Sequence, residues 1–428
     1  MKIMQTVVNS SKISGSIRAV ESKSDAHRAL ICSALCNGPT EVRVRASNND
    51  IDATAECLLS MGAKIKRTDR AFFVEGRALG GGSLDCGESG STARFLLPVA
   101  AALGKKTELL GSGRLPSRPM LPLTDELRKK GSSISADFLP MTVEGKAAAG
   151  RYVLPGNISS QFVSGLLMAL PLIGEPSEIL MSTPLESELY ADMTVRTLER
   201  FGVKWKKLSA TQTDGFCGGY ALDGGSYSPV GVYNVEGDWS GASFFAVLAA
   251  LGGELEIQGL DKDSLQPDKA IAEIVKAAGA SVCFDGGALK VKKGKLKPIS
   301  VDVSQFPDIF PILAVLACGA EGESILYNAE RLRIKESDRI EATASMLTSL
   351  GARVETGRDY IRIFGTGSLD GGSVDGMGDH RIVMSAAVAS VICEKEVEII
   401  GCEAVNKSYR GFFDDFISVG GNVIDKTN

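Results

Sequence analysis

The chain has 428 residues, 44% of them apolar and 23% charged, with a formal net charge of −5. That length suits two or three domains, each with its own core. The slight acidity offers no global attraction to nucleic acid or to an anionic membrane surface, so any bound anion must be held by a local cluster of basic side chains.

Only His27 and His380 occur, which excludes a histidine-rich metal site, and neither zinc spacing nor a Walker loop is present. Nine cysteines fall singly along the chain, pointing to buried free thiols in a reducing compartment. The N-terminal MKIMQTVVNSSKISG lacks the apolar core of a signal peptide, and no run approaches the roughly 20 apolar residues of a membrane span. A cytoplasmic protein is expected, with no metal, no membrane and no nucleic acid among its partners.

Taken in chain order, two signatures recur. The first is an apolar helix end, a glycine and a short strand: LLSMGAKI at Gly62, LRKKGSSI at Gly131, LERFGVKW at Gly202, VKAAGASV at Gly279, LTSLGARV at Gly351 and FISVGGNV at Gly420. Their intervals are 69, 71, 77, 72 and 69 residues. Glycine there suits the left-handed turn that ends a helix. The second signature is a helix of small and apolar residues, ALICSALCNG, LLPVAAALG, LMALPLIG, FAVLAALG, PILAVLACG and VMSAAVASVICE, each followed by a short strand. A helix without a polar face is buried on every side. Three units around three such helices make one domain, so six units predict two similar domains with a seam near residues 230–240, after GGSYSPVG. The period is longer than the roughly 20–50 residues of solenoids and propellers.

Chemistry concentrates at the starts of the buried helices: SKSDAHR (22–28), GESGSTAR (87–94), GNISSQ (156–161), GDWSGAS (237–243), FPDIF (306–310) and GMGDHR (376–381). Serine and aspartate there are expected as helix caps. Capping does not account for Lys23, Arg28, Arg94 and Arg381, which the pattern puts in the first turn, the wrong end of the helix dipole for a cation. An anion at the helix start would compensate them. RLRIKESDR at 331–339, Arg118 before Pro119, and Lys407 in NKSYRGFF extend the cationic set. Taken alone, 331–339 reads more readily as a solvated helix face.

These residues resemble the enolpyruvyl transferase family over essentially the whole chain. The matching segments are SKSxxxR at 22–28, GxxGSTxR at 87–94, Arg118-Pro119, SSQ at 159–161, Gly237-Asp238, Pro307-Asp308, KESDR at 335–339, DHR at 379–381 and Lys407-Ser408. The resemblance implies a two-domain inside-out α/β barrel of six units, three per domain. One domain spans 22–235; the other combines 1–21 with 236–428, and the active site lies in the cleft between them. It implies transfer of the enolpyruvyl group of phosphoenolpyruvate to the 5-hydroxyl of shikimate 3-phosphate, without a cofactor; a monomer is the default expectation. Shikimate 3-phosphate is then expected at Lys23, Ser24, Arg28, Ser159, Ser160, Gln161, Ser187, Asp308 and Lys335. Phosphoenolpyruvate is expected at Lys23, Gly90, Arg118, Gln161, Arg339, Arg381 and Lys407. Asp308, Glu336 and Lys23 are the candidate acid–base groups, with Arg94 and Asp238 in support and His380 orienting Arg381.

Three positions depart from the family pattern. Val20 and Glu21 replace the usual Pro-Gly, Glu88 stands where asparagine is common, and Arg410 replaces a frequent proline. Two alternatives are a sister transferase acting on UDP-N-acetylglucosamine, whose mobile-loop cysteine is missing from GSGRLPSRPM at 111–120, and a non-catalytic anion-binding protein. An RNA-phosphate cyclase, built on similar repeats, would want a basic nucleic-acid face.

Overall fold

Five of the six apolar helices start where a short polar side chain can close the first turn. In the computed structural model, which describes residues 4–9, 12–76 and 78–425, Ser22 caps helix Lys23–Leu35 and Ser89 caps Gly90–Leu103. Ser159 caps Ser160–Ala169, Asp238 caps Trp239–Gly252 and Asp379 caps His380–Ala389. Each cap accepts a bond from a backbone N–H of the first turn that has no partner inside the helix. The sixth helix, Phe310–Cys318, instead runs on from the 3-10 turn Pro307–Ile309, with proline supplying its first φ.

Burial follows the lack of a polar face. Every residue of Phe310–Cys318 and of His380–Ala389 is buried, as is every residue from Gly241 to Leu251. Each fully buried Leu, Ile or Phe in them contributes about 1.5–3 kcal/mol. The chain separates into two compact units, one within residues 1–20 and 236–428, the other within 21–235. Each unit has its own continuous apolar core around three of these helices.

The sheets share one plan. Among the described residues there are six, each of four strands. In one, Ser83–Asp85 runs parallel to Thr107–Leu110, with helix Gly90–Leu103 as the crossover; Met141–Glu144 and Ser133–Ile134 then add antiparallel. Two sheets draw their parallel strand from far along the chain. Ile13–Arg18 pairs with Gly253–Gln258, and Gly231–Asn234 pairs with Gly38–Arg43. Gln5–Asn9 sits between Val397–Ile400 and Asn422–Asp425, antiparallel to both.

The glycines of the first signature all take positive φ, from 84° at Gly202 to 110° at Gly279, as a left-handed helix end requires. Two expectations need correction. Arg28 and Arg94 lie in the second turns of their helices, which begin at Lys23 and Gly90; of those four residues, only Lys23 and Arg381 are first-turn cations. The nine cysteines are free, but Cys217 and Cys283 are exposed and Cys393 only partly buried. Among the described residues no helix is long and apolar enough to cross a membrane.

Candidate active site

In the unit 21–235, three helix starts carry the expected residues. Lys23 Nζ lies 2.8 Å from Asp50 Oδ2, a carboxylate at the start of helix Asn49–Ser60. The first-turn lysine thus has a neighbouring helix's aspartate as counter-ion. Arg28 is 2% exposed and holds the unit together. Its Nε donates to Thr194 Oγ1 at 2.8 Å, Nη2 donates to Tyr190 O at 2.8 Å and Ser164 Oγ at 3.3 Å, and Nη1 donates to Ser24 O at 2.5 Å. Four of its five N–H bonds therefore end on protein acceptors, leaving one for a ligand. Burial pulls its guanidinium down to about 10.

Gln161 is fixed from both sides. Arg94 Nη1 donates to its Oε1 at 2.7 Å, and its Nε2 donates to Ser91 Oγ at 2.9 Å. Arg94 lies over the Phe162 ring at 5.3 Å, as Arg28 lies over Phe95 at 5.1 Å. Gly90 opens its helix directly beneath the buried Arg118, and a Cβ at Gly90 would stand 2.9 Å from Arg118 Nη1. Ser187 is buried at φ 55°, a left-handed backbone conformation that a serine rarely adopts and that commonly marks a functional position. Ser159 serves as a cap and Ser160 is buried beside it. Sequence reasoning missed Asp50 and Thr194, whose roles come from partners 27 and 166 residues away.

His27 is buried between these helices, its Nδ1 2.7 Å from Thr54 Oγ1, which is 2.6 Å from Thr92 Oγ1; Thr92 donates to Ser89 Oγ at 2.7 Å. Burial, against the pull of Asp50, lowers its imidazole to about 3, so it is neutral at physiological pH.

The departures are placed as follows. Glu21 Oε1 pairs with Arg45 Nε at 2.6 Å and its Oε2 accepts from Ala46 N at 3.3 Å, at the end of the chain segment where the two units divide. The exposed Glu88 side chain lies against Gly113, in the loop ahead of Arg118. Arg410 is exposed.

In the other unit, one guanidinium organises three carboxylates. Arg339, 1% exposed, donates from Nη1 to Asp308 Oδ1 at 2.8 Å, from Nη2 to Glu336 Oε2 at 2.7 Å and from Nε to Asp379 Oδ2 at 2.9 Å. Arg381 Nη2 reaches Asp308 Oδ2 at 3.1 Å and Ser240 Oγ at 2.7 Å, and Lys335 Nζ lies 3.8 Å from Asp308 Oδ1. Burial alone would push the Asp308 carboxyl up, but Arg381, Lys335 and Arg339 hold it far below the usual range. Burial brings Lys335 down to about 8 despite Asp308. Lys407 is buried at the end of the 3-10 turn Cys402–Lys407, which packs on helix His380–Ala389. His380 is buried with Nδ1 3.8 Å from Asp379 Oδ1. Asp379 both caps its own helix and accepts from Ser337 and Arg339. A carboxylate pair joined by one guanidinium, with a second arginine and a lysine alongside, suits proton transfer and charge stabilisation on an anionic substrate.

Solved structures with this architecture exist. An EPSP synthase from Acinetobacter baumannii superposes with a TM-score of 0.81 at 26% identity, covering 99% of this chain and 100% of that one. The enolpyruvyl transferase NikO from Streptomyces tendae gives 0.79 at 15% identity, over 100% and 99%. The fold is thus the two-domain inside-out α/β fold of the enolpyruvyl transferases. Within that class, the family described as EPSP synthase (3-phosphoshikimate 1-carboxyvinyltransferase) matches residues 7–416. Relatives named 3-phosphoshikimate 1-carboxyvinyltransferase include one from Clostridium kluyveri, 38% identical over 97% of both chains. Another, from Methanocorpusculum labreanum, is 37% identical over 98% of this chain and 99% of that one. The chain belongs to the EPSP synthase family of enzymes.

Proposed function

We propose that this protein transfers the enolpyruvyl group of phosphoenolpyruvate to the 5-hydroxyl of shikimate 3-phosphate and releases phosphate. The observation that supports it most is the Asp308–Arg339–Glu336 arrangement, two carboxylates 2.8 and 2.7 Å from one buried guanidinium. The 5-hydroxyl oxygen bonds to the central carbon of phosphoenolpyruvate as the methylene carbon takes a proton, giving a tetrahedral intermediate. The C–O bond to phosphate then breaks while a methyl proton leaves, restoring the enol ether. Asp308 accepts the hydroxyl proton, Glu336 exchanges the proton at the methylene carbon, and Lys23 shares the transfers.

Lys23, Gly90, Arg118, Gln161, Arg339, Arg381 and Lys407 hold the phosphate and carboxylate of phosphoenolpyruvate. Lys23, Ser24, Arg28, Ser159, Ser160, Gln161, Ser187, Asp308 and Lys335 hold shikimate 3-phosphate, so residues of both proposed domains, 22–235 and 1–21 with 236–428, serve one reaction. The enzyme acts as a cytoplasmic monomer. Arg339 and Arg381 now neutralise Asp308; an anion that competes for them weakens those pairs and makes Asp308 a stronger base.

The test mixes purified protein with both substrates and follows inorganic phosphate, omitting each substrate in turn. Release that needs both and falls at least about 100-fold in Asp308→Asn is the expected result. No release with shikimate 3-phosphate, but release with UDP-N-acetylglucosamine as acceptor, overturns the proposal in favour of the sister reaction.

A further inference from the structure

The helix that carries Lys23 meets its neighbour at a second polar contact, one turn deeper. Lys23 and His27 stand four residues apart on helix Lys23–Leu35, and Asp50 and Thr54 four apart on helix Asn49–Ser60. That spacing puts each pair on one helix face. The faces are joined by two rungs, Lys23 Nζ to Asp50 Oδ2 at 2.8 Å and His27 Nδ1 to Thr54 Oγ1 at 2.7 Å. The outer rung is partly open, with 17% exposure of the lysine side chain, whereas His27 and Thr54 are fully buried.

The inner rung has a fixed direction. Thr92 Oγ1 donates to Ser89 Oγ, the cap of helix Gly90–Leu103, at 2.7 Å. Each hydroxyl has one proton. With the Thr92 proton on Ser89, the 2.6 Å contact between Thr92 and Thr54 needs the Thr54 proton. The other acceptor near Thr54 Oγ1, Asp50 O, is 3.4 Å away and would leave two bare oxygens facing each other. Thr54 therefore accepts from His27, whose ring burial keeps neutral with a single proton. That proton sits on Nδ1. The Nε2 is buried without a hydrogen-bond partner among the described residues, as suits a nitrogen that carries no proton.

We propose that His27 is a positioning residue: donating from Nδ1 to Thr54, it sets the approach of the two helices at which Asp50 meets Lys23, and so aims the lysine ammonium. This rests on the reading that Lys23 binds both substrates and shares their proton transfers. A lysine stem is flexible, so its head depends on where the counter-ion is held. Losing the orienting hydrogen bond corresponds to about a tenfold effect. His27→Leu and Thr54→Val are each expected to lower kcat/KM for phosphoenolpyruvate about tenfold. His27→Asn, whose side-chain N–H can donate where the imidazole Nδ1 does, recovers to within about threefold of the parent. The double variant Lys23→Met/His27→Leu is no slower than Lys23→Met alone, because His27 acts through Lys23.

Lys23→Met is also the control that separates the two claims. If it leaves kcat/KM unchanged, the assignment of Lys23 fails and the positioning role falls with it. If it lowers kcat/KM while His27→Leu and Thr54→Val do not, the positioning role is overturned and the assignment of Lys23 stands. A double variant that shows the product of both losses overturns it too, since that is the mark of a brace unrelated to Lys23. The chain has only two histidines, so long-range proton–nitrogen NMR, with His27→Asn to assign the signals, reads the tautomer directly. A neutral ring protonated on Nδ1 is expected; a proton on Nε2 overturns the proposal. Should His27→Leu not fold, Thr54→Val and His27→Asn decide the matter by the same kcat/KM readout.

Discussion

Replacing Arg339 with methionine removes the one cation that meets three carboxylates, and the structure allows its effect on stability to be worked out. Asp379 is fully buried, so its partner's loss strands a charge at about 3–5 kcal/mol. Glu336 and Asp308 keep 14% and 25% side-chain exposure, and Asp308 retains Arg381; each adds no more than about 1 kcal/mol. A loss of roughly 4 kcal/mol lowers Tm by about 8–16 °C in a unit of this size. The two tryptophans make the assay simple, since Trp239 lies in the affected unit and Trp205 in the other. Urea unfolding followed by Trp239 fluorescence in a Trp205→Phe background reads the 236–428 unit alone. The sign of the pH dependence is also set. Burial pushes the Asp379 carboxyl up but Arg339 wins and holds it down, so the stability it contributes is present above the unfolded value near 3.9 and is lost as pH falls through the folded one. Arg339→Met is therefore closest to its parent in acid. Adding Asp379→Asn should restore part of the loss, because the stranded charge goes with it. A loss below about 1 kcal/mol at neutral pH, or a double variant that loses the full sum, would refute the reasoning.

Two further outcomes follow from the site. Lys335, lowered to about 8 by burial, must be charged to hold a phosphate. Thus kcat/KM for shikimate 3-phosphate falls about tenfold per pH unit above that value, and Lys335→Arg, which stays charged, loses that alkaline limb; an identical limb in both proteins sinks the assignment. Gly90→Ala puts a methyl 2.9 Å from the mobile end of Arg118, so it folds normally but raises the KM for phosphoenolpyruvate about tenfold by displacing the guanidinium; steady-state kinetics with an unchanged KM would contradict this.

How much of this could be read from the chain depends on how local each cause is. Helix ends at Gly62 or Gly351 announce themselves because one residue and its φ decide them. The caps at Ser22, Ser89 and Asp379 are equally local. Arg28 shows the limit: whether it stood in the first or second turn depended on where the helix began, and its acceptors Ser164, Tyr190 and Thr194 lie 136 to 166 residues away. The Arg339 cluster was half legible. KESDR stands out as part of a charged run and DHR as a helix start, but the triple pairing of one guanidinium needed the fold.

The exchanged strands bear on how the molecule is made. The unit 21–235 is an insertion within the other, and its sheet Gly38–Arg43 is completed by Gly231–Asn234 as soon as that segment is synthesised. Ile13–Arg18, by contrast, pairs with Gly253–Gln258, so on the ribosome it must wait, roughly 12–48 s at about 5–20 residues per second. Ile13–Arg18 is made early and is among the last segments to find its place. Where the insertion leaves and returns, Asp238 N donates to Val20 O at 2.7 Å, so the two severed ends of the host lie side by side. A short turn from Val20 to Glu236 would close the host without its guest, and cutting the gene at its midpoint would orphan a strand instead.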